Sequence, residues 1–233
     1  MKRANPLIAA RMLVASLLMT LLLMLTAASP ATAAEYVAGK HYQVLETQVR
    51  TSNPAKIEVT ELFWYGCGHC FIFEPLLAKW HETLADDVLL VRSPAMWHPT
   101  MELHARAYYT ARALGVEDEV HGALFDAMNV KQDKLATEAA IGKVFAAHGV
   151  DPEAFTKTFN SFGVASAVRQ ADARQRSYQT TGTPELVVEG KYRVTARMAG
   201  GHQGMLEVAD HLIAVERERR AKMPAGDSSA APQ

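Results

Sequence analysis

The chain of 233 residues contains two cysteines, Cys67 and Cys70, and they are separated only by Gly68 and His69. Two thiols at this spacing can form a disulfide and exchange it with other thiols, and the thiolate is the nucleophile in that reaction. One alternative is an inert structural disulfide, which would close a very short loop. Another is half of a zinc site, but zinc usually takes four ligands and no second pair exists. The pair therefore favours redox chemistry without a metal.

The residues around the thiols predict how they are positioned. Residues 57–65 form an apolar, β-favouring run before Cys67, and residues 71–80 have the apolar spacing of a helix. A strand followed by a tight turn and a helix places Cys67 at the first helical turn, where backbone N–H groups and the helix dipole favour an anion. We therefore expect Cys67 to be the exposed nucleophile and Cys70, one turn further along, to be its partner.

Two further side chains near the thiols are titratable. His69 lies between the sulfurs and could give the Cys67 thiolate a positive charge or a hydrogen bond; otherwise it is an exposed, neutral loop histidine. Glu61 lies six residues before Cys67 in a strand that otherwise looks buried. A buried acid costs free energy unless it is paired or protonated, so Glu61 is either functional, paired with a lysine, or turned toward solvent.

The N-terminus has the pattern of an export signal. An apolar run over residues 12–28 is followed by the small residues Ala31-Thr32-Ala33, which predict cleavage after Ala33 or Ala34. The basic residues of this segment are Lys2, Arg3 and Arg11. An uncleaved membrane anchor is the alternative, although the run is shorter than the ~20 residues of a full span. Residues 1–34 are therefore interpreted as a signal peptide, and the basic signal suggests the oxidising bacterial periplasm.

The composition excludes several functional classes. A hydrophobic content of 49% with 21% charged residues is typical of a globular protein, and the net charge of −1 does not favour nucleic-acid binding. The sequence contains neither G-x-G-x-x-G nor G-K-[ST], so no nucleotide cofactor is expected. We expect an enzyme without a bound cofactor or metal.

The order of predicted elements indicates an interrupted α/β domain. Strand, helix and strand signals occupy residues 35–97, and only helical spacing follows over 98–175. Residues 176–222 then contain a hairpin with Gly190 in its turn and a final amphipathic helix. Residues 223–233 have the composition of a disordered tail. The interpretation is one domain made of two segments, 35–97 and 176–222, with an all-helical insertion between them.

Cys67-Gly68-His69-Cys70 after an apolar strand, with Thr183-Pro184 before a distant hairpin, resembles the thioredoxin superfamily. The helical segment, the signal peptide and Phe63-Trp64-Tyr65-Gly66 resemble its periplasmic DsbA branch. The resemblance covers about residues 40–220 and implies a thioredoxin-like fold interrupted by a helical insertion.

The resemblance also implies roles for individual residues. Pro184 takes the place of the family's cis-proline, beside which the backbone of Thr183 can pair with an extended substrate. Glu61 falls at the position of a buried acid that influences proton transfer. The dipeptide Gly68-His69 tunes the redox potential. Here the chain departs from the family, because DsbA proteins commonly carry Pro-His and Gly-His is typical of protein disulfide isomerase.

Three functions follow. The first is a monomeric oxidase that donates a disulfide to reduced exported proteins and is reoxidised by a membrane quinone-linked partner of the DsbB type, as the resemblance implies. The second is a disulfide isomerase or reductase, suggested by Gly68-His69, although only about 20 residues between the signal and the first strand leave no room for the dimerisation domain of periplasmic isomerases. The third is a redox-inactive, chaperone-like binding module, which the presence of both cysteines disfavours.

Overall fold

The computed structural model describes residues 36–222, so the predicted signal peptide (1–34) and tail (223–233) lie outside the described residues. The strands are β1 (Gln43–Val44), β2 (Ile57–Phe63), β3 (Val88–Pro94), β4 (Glu185–Val188) and β5 (Tyr192–Thr195). The helices are α1 (Gly68–His81), α2 (Pro99–Leu114), α3 (Glu117–Asn129), α4 (Glu138–Ala147), α5 (Pro152–Phe159), α6 (Phe162–Ser177), α7 (Ala196–Ala199) and α8 (His202–Lys222). Within this range, no helix has the length and apolar character needed to cross a membrane.

The strands form one mixed sheet in the order β1-β5-β4-β2-β3. All seven residues of β2 are buried, as expected of a central strand with both faces covered. It pairs in parallel with β3 and antiparallel with β4, so that Thr60 faces Val91 on one side and Val187 on the other. The predicted central strand is confirmed.

The strand directions bring distant parts of the chain to one edge of the sheet. The parallel strands β2 and β3 both end at this edge, and the antiparallel strand β4 begins there. The turn that carries Cys67 therefore lies next to the segment Thr183-Pro184, which directly precedes β4. The sheet topology alone explains why residues more than one hundred positions apart share one site.

Two separate hydrophobic clusters pack around the sheet and the helix that carries the thiols. One cluster packs α1 and α8 against the sheet through side chains such as Phe73, Trp80 and Leu212. A second cluster contains Cys70 together with Phe63 and residues of α2 to α5. The helices between Pro99 and Ser177 thus pack directly against the thiol turn, and the sequence did not predict this contact. The division into a two-segment domain and an insertion stays a prediction.

The β4–β5 hairpin makes a tight connection that depends on one glycine. Glu189 and Gly190 have φ values of +55° and +60°, as the central residues of a type I′ turn require. The backbone N–H of Val49 donates to the carbonyl of Gly190 over 2.8 Å. A Cβ atom at position 190 would overlap the carbonyl oxygen of Val49. The predicted hairpin is confirmed, and position 190 tolerates only glycine without rearrangement.

We expect Gly190→Ala to lower the free energy of unfolding by more than about 1 kcal/mol, because alanine strains a positive φ and displaces the Val49 backbone. The matched control is Gly122→Ala on the exposed side of α3, where no atom lies within 4 Å of the added carbon. That change should be neutral or stabilise by up to about 1 kcal/mol. Urea unfolding of both variants measures the difference, and equal stabilities would contradict the proposed constraint.

Candidate active site

The two thiols occupy different environments within one helical turn. Cys67 is the N-cap residue of α1, and its Sγ accepts a hydrogen bond from the backbone N–H of Cys70 at 3.4 Å. The same sulfur lies 3.3 Å from the backbone oxygen of Thr183, to which it donates when it is protonated. Both cysteines are free thiols; Cys67 is partly exposed and Cys70 is fully buried. The helix therefore presents one sulfur to solvent and encloses the other.

These environments separate the acidities of the two thiols. A hydrogen bond from the Cys70 thiol, together with donors from the Thr183 side chain and the backbone of Cys70 and His69, lowers the pKa of Cys67 to about 5. Burial raises the pKa of Cys70 well above its usual range, and the charge on Cys67 raises it further. At neutral pH the pair consists of an accessible thiolate and a protonated, enclosed thiol. An accessible thiolate can attack a disulfide, as the sequence predicted for Cys67.

The wall opposite the thiols is the turn before β4. The peptide bond between Thr183 and Pro184 is cis, as the family resemblance implied. Glu185 holds the preceding residues, because its Oε1 accepts hydrogen bonds from the backbone N–H groups of Thr181 (3.2 Å) and Gly182 (3.1 Å). The backbone of Thr183 is thereby fixed beside the Cys67 sulfur.

The dipeptide between the cysteines is exposed. A Cβ atom at Gly68 would lie 3.9 Å from the side-chain oxygen of Asn129, which is an ordinary contact, so the surroundings do not require glycine there. The ring of His69 packs edge-on against His202 at the start of α8, with 6.0 Å between ring centroids. The imidazole of His202 is thus a neighbour of the site.

Glu61 is completely buried, and its charge interacts with both thiols. Its Oε2 lies 3.4 Å from Nε of Arg92, at ion-pair distance, but neither carboxylate oxygen has a hydrogen-bond partner among residues 36–222. Arg92 instead donates to Oε1 of Glu74 at 2.5 Å. Burial, and then the charge of Glu74, raise the pKa of Glu61 to about 8. Of the positions that the sequence left open for Glu61, the buried one is observed, with an arginine nearby instead of a lysine.

His121 of α3 extends this buried network. Its Nδ1 lies 2.9 Å from the hydroxyl oxygen of Tyr65, and its Nε2 lies 3.5 Å from Oε2 of Glu74. Burial raises the pKa of Tyr65, so the hydroxyl keeps its proton and donates it to Nδ1. With Nδ1 as the acceptor, the imidazole presents an N–H on Nε2 toward Glu74. Although burial opposes ionisation, hydrogen bonds and charge from His121 and Arg92 lower the pKa of Glu74.

The helical segment also fixes the turn that leads to Cys67. The indole N–H of Trp64 donates to Nδ1 of His104 at 2.9 Å, and the side-chain amide of Asn129 donates to the carbonyl of Tyr65 at 2.8 Å. Sequence reasoning missed His104 and Asn129, together with Glu74, Arg92 and His121. Their contacts join distant elements, and helical periodicity marks the histidines only as members of a helix.

No group of three or more His, Cys, Asp or Glu side chains within the described range is arranged to hold a metal ion.

Comparison with known proteins gives a consistent result. Residues 85–212 match the family model of the DSBA-like thioredoxin domain. The chain is 44% identical to the thiol:disulfide interchange protein DsbA of Pseudomonas aeruginosa over 191 residues, which cover 82% of this chain and 90% of that protein. Over 197 residues it is 42% identical to DsbA of Azotobacter vinelandii, with 84% and 91% covered.

The structure is similar to solved structures of the same kind. The crystal structure of Pseudomonas aeruginosa DsbA matches with a TM-score of 0.77 and 43% identity, covering 80% of this chain and 97% of that one. DsbA from Xylella fastidiosa matches with a TM-score of 0.74 and 32% identity, covering 78% and 98%. The predicted thioredoxin-like fold and thiol:disulfide oxidoreductase function are confirmed, and the chain belongs to the DsbA family.

Proposed function

We propose that the protein donates a disulfide to reduced proteins exported to the periplasm, with Cys67 as the sulfur that clients attack and Cys70 as its partner. The observation that carries this proposal is the contrast between the two thiols: the pKa of Cys67 is lowered to about 5, whereas burial raises that of Cys70. A stabilised thiolate favours the reduced pair, and a disulfide whose reduced form is stabilised is a stronger oxidant.

The reaction proceeds in two exchanges. A client thiolate attacks Sγ of Cys67 in the Cys67–Cys70 disulfide, the S–S bond breaks, and Cys70 leaves as a thiolate that takes up a proton. The second client thiolate then attacks the client sulfur of the mixed disulfide, and Cys67 leaves as a stable thiolate. Two electrons pass from the client to the pair, and a membrane quinone-linked oxidase of the DsbB type is proposed to remove them.

The first leaving group needs a proton, because a thiol of high pKa leaves slowly as an anion. Glu61 can supply that proton, since its pKa is raised to about 8 and its charge influences the pKa of Cys70. Burial is the main cause of this raised pKa, and the way Arg92 is shared leaves the effect of burial only partly compensated. The guanidinium donates to Glu74 at 2.5 Å and lies 3.4 Å from Glu61, so Glu61 lacks a fully engaged counter-ion.

Client positioning is assigned to Thr183, whose backbone oxygen lies 3.3 Å from Sγ of Cys67. An extended client segment that pairs with this backbone brings its own sulfur to Cys67, in the manner of strand addition.

The isomerase or reductase alternative rests on Gly68-His69. Equilibration of the pair with glutathione tests the choice: a strongly oxidising potential is expected, and a thioredoxin-like potential would overturn the oxidase proposal.

The first prediction concerns trapping of the client. Cys70→Ser leaves the attacking sulfur of Cys67 but removes its partner, so a mixed disulfide with a client should accumulate when the client carries an activated disulfide. Cys67→Ser should form no such adduct, because Cys70 is buried. Mass spectrometry of the non-reduced mixture measures both, and an adduct on Cys70 in the Cys67→Ser protein would contradict the assignment.

The second prediction concerns pH. Reduction of the pair takes up two protons below the pKa of Cys67 and one above it, so the potential should fall by about 60 mV per pH unit below pH 5 and by about 30 mV above. The lowered pKa of Cys67 also stabilises the folded, reduced protein. This contribution is complete at pH values above the pKa of an ordinary thiol, and it is lost as the pH falls through about 5.

Redox titration across pH and the melting temperature of reduced and oxidised protein measure these effects. Glu61→Gln is the control, since it should keep the change of slope near pH 5. A constant slope between pH 4 and about 7 in the unaltered protein would rule out an ionised Cys67.

The third prediction concerns His121. Replacing it with leucine removes the N–H that faces Glu74, so Glu74 ionises less readily and Arg92 becomes available to Glu61. The pKa of Glu61 should then fall from about 8. His121→Gln keeps an acceptor for Tyr65 and a donor for Glu74 and should preserve it. Carboxyl chemical shifts of labelled glutamate report the titration, and identical curves for the two variants would exclude this role.

A further inference from the structure

The sheet edge that carries Cys67 continues past Thr183 into a groove of about 670 Å³. We call this the cationic groove, and its principal lining residues are Lys40, Gln43, Thr183, Pro184, Arg193 and Arg197. In the sheet register, Gln43 faces Arg193 and Glu185 faces Thr195. The edge at which β2 leads to the thiols therefore also contains the start of β1, the start of β4 and the end of β5. The groove is continuous with the proposed client-binding backbone.

The exposed charges of the cationic groove have one sign. Lys40 and Arg197 are exposed, and neither forms an ion pair within residues 36–222. Arg193 and Glu185 also line the groove, and both are buried. Arg193 donates to the side-chain oxygen of Gln43 at 2.7 Å and to the carbonyl of Gln179. Arg193 also lies 3.9 Å from Oε2 of Glu185, the one acidic residue of the lining, so these two buried charges offset each other.

We propose that the cationic groove binds the client segment on one side of the reacting cysteine and selects acidic side chains there. This inference rests on the proposed function, because it requires a client paired with Thr183. An extended chain advances about 3.3 Å per residue with alternating side chains, so the selected residues lie within about two to five positions of the cysteine. The attraction between exposed opposite charges acts mainly on the association rate, and salt weakens this attraction.

The experiment measures how fast the oxidised protein reacts with reduced peptides of equal length, each with two cysteines. The peptides carry two glutamates, two glutamines or two lysines, either before or after the cysteine pair. We expect the glutamate peptide to react about three- to tenfold faster than the glutamine peptide for one flank only, with the preference reduced at high salt. The lysine peptide should react slowest on that flank.

Variants assign the preference to the groove. The double change Lys40→Gln with Arg197→Gln should make the three peptides react at similar rates, and Lys40→Glu with Arg197→Glu should reverse their order. The matched control removes two exposed charges from the helical segment, Lys131→Gln with Lys157→Gln, and should keep the preference. Circular dichroism and the rate with dithiothreitol should be unchanged in every variant, because none of these side chains contacts the sulfurs.

The outcomes separate this inference from the proposed function. If the unaltered protein does not oxidise dithiothreitol, the oxidase proposal itself fails. If it oxidises dithiothreitol but the peptides react equally, the cationic groove does not select clients. An acidic preference that is the same on both flanks, or that survives loss of Lys40 and Arg197, would also overturn the inference, since it would arise from the overall field of the protein.

Discussion

The site depends on one helical turn that caps one sulfur and buries another. Because Cys67 is the N-cap of α1, its Sγ accepts the N–H that the helix leaves unpaired at Cys70. Three residues further along, the same geometry directs Cys70 into the cluster that contains Phe63 and Phe125. A spacing of two intervening residues therefore produces both the thiolate and the enclosed thiol. The sheet needs only to end at this turn and bring Thr183 beside it.

The second constraint is the cost of burying charge below that turn. Glu61 has no exposed surface, and a buried carboxylate without full hydrogen bonding is costly, so its proton affinity rises. A full ion pair with Arg92 would lower the proton affinity of Glu61 again. Glu74 competes with Glu61 for Arg92, however, and His121 helps to keep Glu74 ionised. The helical segment consequently belongs to the chemistry of the site as well as to its packing, since α3 provides His121 and Asn129.

The sequence allowed the local parts of this arrangement to be predicted, because their causes are local. An apolar run before Cys67, a helix after it and glycine at position 190 each follow from propensity and turn geometry. Thr183-Pro184 could be assigned only through the family resemblance.

The rest depends on register and tertiary packing. The pairing of Glu61 with Arg92 is set by the alignment of β2 on β3. The contact of His121 with Tyr65 joins elements 56 residues apart, so no periodicity in the sequence could have indicated it.

The structure also bears on the unusual Gly68. The groups that lower the pKa of Cys67 are the Cys70 thiol, the Thr183 side chain and the N–H groups of His69 and Cys70. Gly68 is absent from this set, and its position has room for a side chain. Glycine at the first helical position adds conformational freedom that proline would remove. Since the thiolate is stabilised by groups other than a side chain at position 68, replacement of Gly68 is expected to leave Cys67 as the sulfur that reacts.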